Sequence, residues 1–382
     1  MRHHINMLRE FSIPLLAGVV VAIAWANLDP TGYADFNNSP YFGGLSFHFI
    51  SNELFMVLFF GIAAVEITQS CLPGGDLNPL KKAINPLLGT LGGVAGPIIA
   101  YLLLNGLLGE PELQKGWGIP TATDIALAWL AARMIFGANH PAVSYLLLLA
   151  VADDAIGLGI IAIFYPNPAH PVQPVWLGLT LLGMLLAWLM RRSNLRSYWP
   201  YLLVGGSFSW FGLHHAHLHP ALALVFIIPF LPHAKREHKH LFEEDPSDHT
   251  PLSSFEHEWK VCVDFGLFMF SLANAGVQFS SVGTVTWLVL AALVLGKTLG
   301  IFSMGWLATR LGFSLPHGMT LRELLVAGMV AGTGFTVALF VSGEAFTAPD
   351  LQGAAKMGAM LSLSAALLGL IIARLLRVKK RA

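Results

Sequence analysis

Apolar runs dominate this chain and recur with short polar breaks between them. Runs long enough to cross ~30 Å of hydrocarbon lie at 10–27, 50–68, 85–108, 117–133, 141–164, 174–190, 199–213, 217–232, 261–278, 284–307, 321–343 and 353–373. The pattern predicts an all-α polytopic membrane protein with twelve transmembrane helices. Twelve spans put both ends of the chain on one side, and the positions of Lys and Arg test that assignment. Arg2, Arg9, Lys81, Lys82, Arg133, Arg191, Arg192, Arg196, Lys235, Arg236, Lys239 and Lys260 fall on that side. So do Arg310, Arg322 and the tail's Arg374, Arg377, Lys379, Lys380 and Arg381. The opposite side keeps Lys115, Lys356 lies near the start of the last span, and Lys297 falls inside the tenth. Both termini are therefore expected to be cytoplasmic. The first run imitates a secretory signal, with Arg2 and Arg9 ahead of it and Ala22, Ala24 and Ala26 towards its end. The charge pattern works with that run retained as the first helix.

Composition agrees with the pattern. Only 12% of the 382 residues are Asp, Glu, Lys or Arg, about half the share in an ordinary globular chain. Hydrophobic residues make up 55%, and mean hydropathy is +0.64. Cations and acids balance at 22 each, so no basic excess points to nucleic acid. Cys71 and Cys262 provide neither a disulfide framework nor a zinc-finger spacing. The only long hydrophilic loop, 233–260, reads as a cytoplasmic connector, and residues 1–382 as a single transmembrane domain.

Acids inside apolar runs carry the candidate chemistry, because a charge at mid-bilayer costs at least ~2.5–3.5 kcal/mol. Glu53, Glu66, Asp124, Asp153 and Asp154 lie well within such runs, whereas Asp264 sits near the start of its span. Adjacent residues on an α-helix project about 100° apart. Asp153 and Asp154 therefore face different surroundings: one suits a fixed partner, the other a water-filled funnel. The bland alternative is a structural salt-bridge node. Lys297 is the one cation in the middle of a span, too deep to snorkel, so it is expected to pair with Asp153 or Asp154. Asp124 follows Pro120, Thr121 and Thr123; the proline removes a backbone donor, predicting an interrupted helix against the alternative of a simple kink. Gly328, Gly332 and Gly334 surround Thr333 and Thr336 in the eleventh span, as tight packing or an unwound stretch. Interrupted helices at corresponding places in two halves are the pointer to a secondary transporter's site.

Taken together, these residues are familiar. Thr-Ala-Thr-Asp-Ile-Ala in the fourth span, Asp-Asp in the fifth, Gly-Lys-Thr-Leu-Gly in the tenth and Gly-Thr-Gly-Phe-Thr in the eleventh resemble the NhaA-type sodium/proton antiporters. Ala273-Asn274-Ala275-Gly276-Val277 falls in the same order. The resemblance implies inverted repeats and two broken helices, spans four and eleven, crossing at Thr123, Asp124, Gly332, Thr333 and Gly334. It implies that Asp154 binds Na⁺ and carries a proton, that Asp153 pairs with Lys297, and that Asp153 and Thr123 are candidate helpers at the cation. His219 matches a family histidine. The chain departs from the family in the second span, where Glu66 is followed by Ile67, Thr68 and Gln69 rather than a basic pair, and where Asn52-Glu53 stands for Asn-Asp. The central site is untouched by both.

The expected activity is electrogenic exchange of cytoplasmic Na⁺ or Li⁺ for external H⁺ in the inner membrane, serving pH and sodium homeostasis, and not enzyme catalysis. Desolvation penalises an ionised carboxylate, so proton and cation become alternatives at one site. No cofactor is called for; Na⁺ or Li⁺, H⁺ and the bilayer are the expected partners, with a second copy of the chain as a candidate homodimer partner. Competing readings are a related exchanger for another substrate, a channel or non-transporting sensor, and an intramembrane aspartyl protease. The last lacks the separate Tyr-Asp helix such enzymes use. Candidates for pH response are Glu66, His219 and the loop histidines His233, His238, His240, His249 and His257, set among seven acids. The cluster His214, His215, His217 and His219 suits either a metal or the end of a span.

Overall fold

The computed structural model describes residues 13–73, 80–108, 110–166, 171–233, 250–378 and 380. Among these residues every regular element is helical, and the only β-type pairing is an isolated bridge between Pro40 and Ser46. Apolar helices long enough to cross a membrane are Phe47–Cys71, Ala83–Leu108, Pro141–Phe164, Pro174–Arg192, Thr284–Arg310 and Pro349–Leu375, the last with a turn at residues 362 and 363. Two further pairs are bent at a short break: Pro111–Thr121 with Ile125–Phe136, by 57°, and Leu321–Ala331 with Phe335–Ala345, by 46°. Counting each pair as one span gives eight among the described residues. The bent pairs are the fourth and eleventh apolar runs of the sequence, where interruption is expected.

The other four runs differ in form. The first is the helix Ile13–Leu28, and the seventh runs through a π-helical turn, Tyr201–Gly206, into Ser207–His215. The eighth is not α-helical: it holds two short 3₁₀ stretches, Pro220–Phe226 and Ile228–Phe230. Pro220 and Pro229 have no N–H to give to an α-helical ladder. The ninth starts ten residues earlier than hydropathy suggests, as the helix Pro251–Asn274. Residues 251–260 of the expected loop are thus helical. Thr250 starts this helix, its hydroxyl accepting the Ser253 amide at 3.4 Å, with Pro251 at the first position. A short helix absent from the apolar pattern, Pro30–Asn38, begins the same way, with Asp29 accepting the Gly32 amide at 3.0 Å. That amide, then the Thr31 hydroxyl, holds the exposed Asp29 carboxyl below the usual carboxylate range.

Two compact units divide the chain. One draws on Ile13–Asn78 and Leu158–Gly276, the other on Pro79–Gly157 and Val277–Ala382. In the first unit, Pro30–Asn38 closes the end of Pro251–Asn274: the Tyr33 hydroxyl donates to the Leu272 carbonyl at 2.7 Å and the Asn37 amide to that of Ala273 at 3.1 Å. Asn52 and Asn274 exchange amide hydrogen bonds beside this junction, at 2.7 and 3.3 Å. The second unit is organised by a glycine crossing between Leu80–Leu108 and the stretch ending in Lys297–Arg310. A Cβ on Gly300 would lie 2.0 Å from the Gly92 carbonyl oxygen, and one on Gly96 would lie 2.3 Å from that of Gly296. Small residues let the two backbones touch, and the residue carried in by that contact is Lys297, which is 0% exposed.

Candidate ion site

Both breaks lie in the second unit, and each leaves helix ends short of backbone partners. In the first, residues 122–124 separate the 3₁₀ stretch Pro111–Thr121 from Ile125–Phe136, and Ala122 is extended at φ −92°, ψ 157°. In the second, residues 332–334 separate Leu321–Ala331 from Phe335–Ala345. The two unwound strands pair, the Asp124 amide donating to the Thr333 carbonyl at 2.7 Å. Gly334 is needed here for space, since a Cβ would come 2.5 Å from Leu293 and 3.0 Å from the Ala122 carbonyl oxygen.

The charged residues match the polarity of these ends. Helix N-termini carry partial positive charge and C-termini partial negative charge. Asp124 serves both N-termini: one oxygen accepts the Leu127 amide at 3.0 Å and the other the Thr336 amide at 3.3 Å. Lys297 serves a C-terminus, its ammonium donating to the Thr121 carbonyl at 2.6 Å. Thr123 stands beside the remaining end, with Oγ1 at 3.0 Å from the Ala331 carbonyl and 2.8 Å from Asp153 Oδ2.

Asp153 meets Lys297 at 2.5 Å, both side chains fully buried. Asp154 is 8% exposed against 0% for Asp153, as their 100° offset on one helix requires. The structure thus brings together Asp153, Lys297, Thr123, Asp124 and Thr333, with Asp154 next in chain to the pair. The Thr121 carbonyl and the Thr336 amide are additions that side-chain chemistry in the sequence does not announce, because both depend on where the backbone unwinds.

Comparison with known proteins decides the family. The family model described as Na⁺/H⁺ antiporter 1 matches residues 3–373. The chain is 72% identical over 380 residues to a Na⁺/H⁺ antiporter NhaA 2 of Pelobacter propionicus, covering all of both chains. It is 67% identical over 380 residues, again covering all of both, to a Na⁺/H⁺ antiporter NhaA of Geobacter sulfurreducens. The chain belongs to the Na⁺/H⁺ antiporter 1 family. The solved structure of the sodium proton antiporter MjNhaP1 from Methanocaldococcus jannaschii shares the fold, with a TM-score of 0.53 at 15% identity over 97% of this chain and 99% of that one.

In this Na⁺/H⁺ antiporter 1 member, Glu66, His219, His233 and His257, all expected to respond to pH, lie in the first unit. Glu66 is buried, and a base on another helix lies beside it. Lys260 lies 3.8 Å from Glu66 and 3.5 Å from Glu256, which also accepts from Gln69 at 2.6 Å. His219 is buried and donates its Nε2–H to the Tyr165 carbonyl. His233 accepts from the Arg191 guanidinium at 2.9 Å, and His257 is exposed. His238, His240 and His249 fall outside the described residues. His214 and His215 pack by their rings, on Trp210 at 5.0 Å and Trp176 at 4.7 Å.

Proposed function

We propose that this family member is a secondary active transporter exchanging cytoplasmic Na⁺ or Li⁺ for external H⁺. The observation that carries the reading is the fully buried Asp153–Lys297 pair set between two unwound spans, with a second carboxylate next to it. A buried ion pair is weak evidence for stability and costly at membrane depth, so function accounts better for its presence. Asp154 is the shared site: as a carboxylate it offers a hard oxygen ligand that suits Na⁺, and desolvation makes protonation its alternative state. Asp153 and Thr123 assist. Cation entry that loosens Asp153 from Lys297 lets the Lys297 ammonium, deprived of its counter-charge, give up a second proton, which makes exchange electrogenic, with more protons than cations per cycle. Motion of the elements holding the site then alternates its exposure.

A twelve-span arrangement with both termini cytoplasmic fits the distribution of Lys and Arg. The inner membrane is the corresponding location, the segment 233–260, helical from Pro251 onward, is a connector rather than a domain, and a homodimer is the assembly we favour. The test is purified protein in vesicles with an interior pH dye and an imposed sodium gradient. Wild type is expected to move protons on a sodium pulse, and Asp154→Asn to fold but move none. Wild-type exchange by that variant would remove Asp154 from the site.

A further inference from the structure

The geometry points to Ser362 as a positioning residue for the break in the eleventh span, an inference that rests on the transport reading above. In an unbroken helix the Gly334 amide would bond to the carbonyl four residues back, that of Val330. Here the Thr333 amide takes the Val330 carbonyl at 3.1 Å, a tighter 3₁₀ closure, after the Gly332 amide has bonded to Met329 at 3.0 Å. The Gly334 amide is left over, and a buried N–H without a partner is costly. Ser362 supplies the partner: its Oγ accepts from the Gly334 amide at 3.2 Å while donating its own proton to the Ala359 carbonyl at 2.6 Å. Ser362 is 0% exposed and sits in the turn between Pro349–Leu361 and Ser364–Leu375.

What Ser362 fixes is the strand that the ion site leans on. Gly334 is one residue from the Thr333 carbonyl that holds Asp124 and three from the Ala331 carbonyl that holds Thr123. Thr123 in turn contacts Asp153, the partner of Lys297. Ser362 touches none of the charged groups; it acts through the position of the unwound backbone. Releasing Gly334 therefore weakens cation binding more than it slows the translocating step.

Vesicle transport with Ser362→Ala and Ser362→Thr tests this. One hydrogen bond lost from a preorganised site corresponds to a rise in half-saturating Na⁺ of about two- to ten-fold. The alanine variant should show that rise with a maximal rate within about two-fold of wild type, and the threonine variant, which keeps the hydroxyl, should restore wild-type half-saturation. An alanine variant with unchanged half-saturation, or a threonine variant as impaired as alanine, overturns the assignment. So does loss of the folded protein in Ser362→Ala, which would make the role structural. Absence of any sodium-driven proton movement in wild type overturns the transport reading and this inference with it.

Discussion

Lys297 has no exposed surface, and its ammonium is shared between Asp153 at 2.5 Å and the Thr121 carbonyl at 2.6 Å. Removing one member of a buried pair leaves the other uncompensated, at a cost of about 3–5 kcal/mol. Lys297→Ala should therefore lower the melting temperature clearly, while adding Asp153→Ala to it should cost little more. Thermal melts of the two single variants and the double give the coupling directly; additive losses would show that the pair is not an energetic unit. At this scale the sequence was partly legible. That an acid had to meet Lys297 followed from its depth, but spacing left Asp153 and Asp154 equal, and the family resemblance chose between them. The Thr121 carbonyl was out of reach of sequence reasoning, because a backbone group becomes an acceptor only where the helix stops.

Elements are positioned by what they lack as much as by what they carry. Gly92, Gly96, Gly296 and Gly300 let two helices cross at backbone contact, and Lys297 is the residue after Gly296 on one of them. In Gly300→Ala the new methyl would lie 2.0 Å from the Gly92 carbonyl oxygen, so the backbones must part. We expect a loss of about 1–3 kcal/mol of stability, with impaired sodium-driven proton uptake because Lys297 moves with its helix. Gly106→Ala is the control: it lies on Leu80–Leu108 with nothing near the added methyl, and a gain of about 0.5–1 kcal/mol is expected there. Equal effects of the two substitutions would refute the crossing as the cause. The break in the fourth span was legible at this scale from Pro120 with its threonines; the glycines of the eleventh left packing and unwinding equal, and its correspondence to the fourth span, with the family resemblance, chose between them. Pro30–Asn38 was not, since hydropathy finds apolar runs and this helix is polar; its signal was the Asp-Pro start at residues 29 and 30. The eighth run misled for the opposite reason, its apolar character concealing three prolines.

For the molecule as a whole, sodium-proton exchange implies activity that depends on pH, and two origins compete. Protonation of Asp154 alone gives inactivity in acid. The alternative is discharge of His233, His238, His240, His249 and His257, set among Glu237, Glu243, Glu244, Asp245, Asp248, Glu256 and Glu258, as the cytoplasm turns alkaline. Unperturbed histidines titrate near pH ~6.5. Exchange rate against pH at saturating sodium, with all five replaced by Gln, separates the two. If the loop participates, the variant is permanently discharged there and should stay active at lower pH than wild type. A superimposable profile would leave Asp154 as the whole of the response. His233 already departs from the simple picture, because a ring nitrogen that accepts from Arg191 has to be unprotonated. The sequence identified this molecule's class through charge scarcity and its family through motif order. It did not reveal that Lys260 lies 3.8 Å from Glu66, because partners on different helices leave no spacing signal.

Thr123 has a single hydroxyl proton and two neighbours that only accept while Asp153 is ionised: the Asp153 carboxylate at 2.8 Å and the Ala331 carbonyl at 3.0 Å. One of the two must then go without. Were Asp153 to be protonated instead, the order would reverse, for the acid could donate to Thr123 and Thr123 to Ala331, completing the chain of three. The orientation of one hydroxyl at the end of a broken helix is thereby tied to the charge on Asp153, and so to its pairing with Lys297.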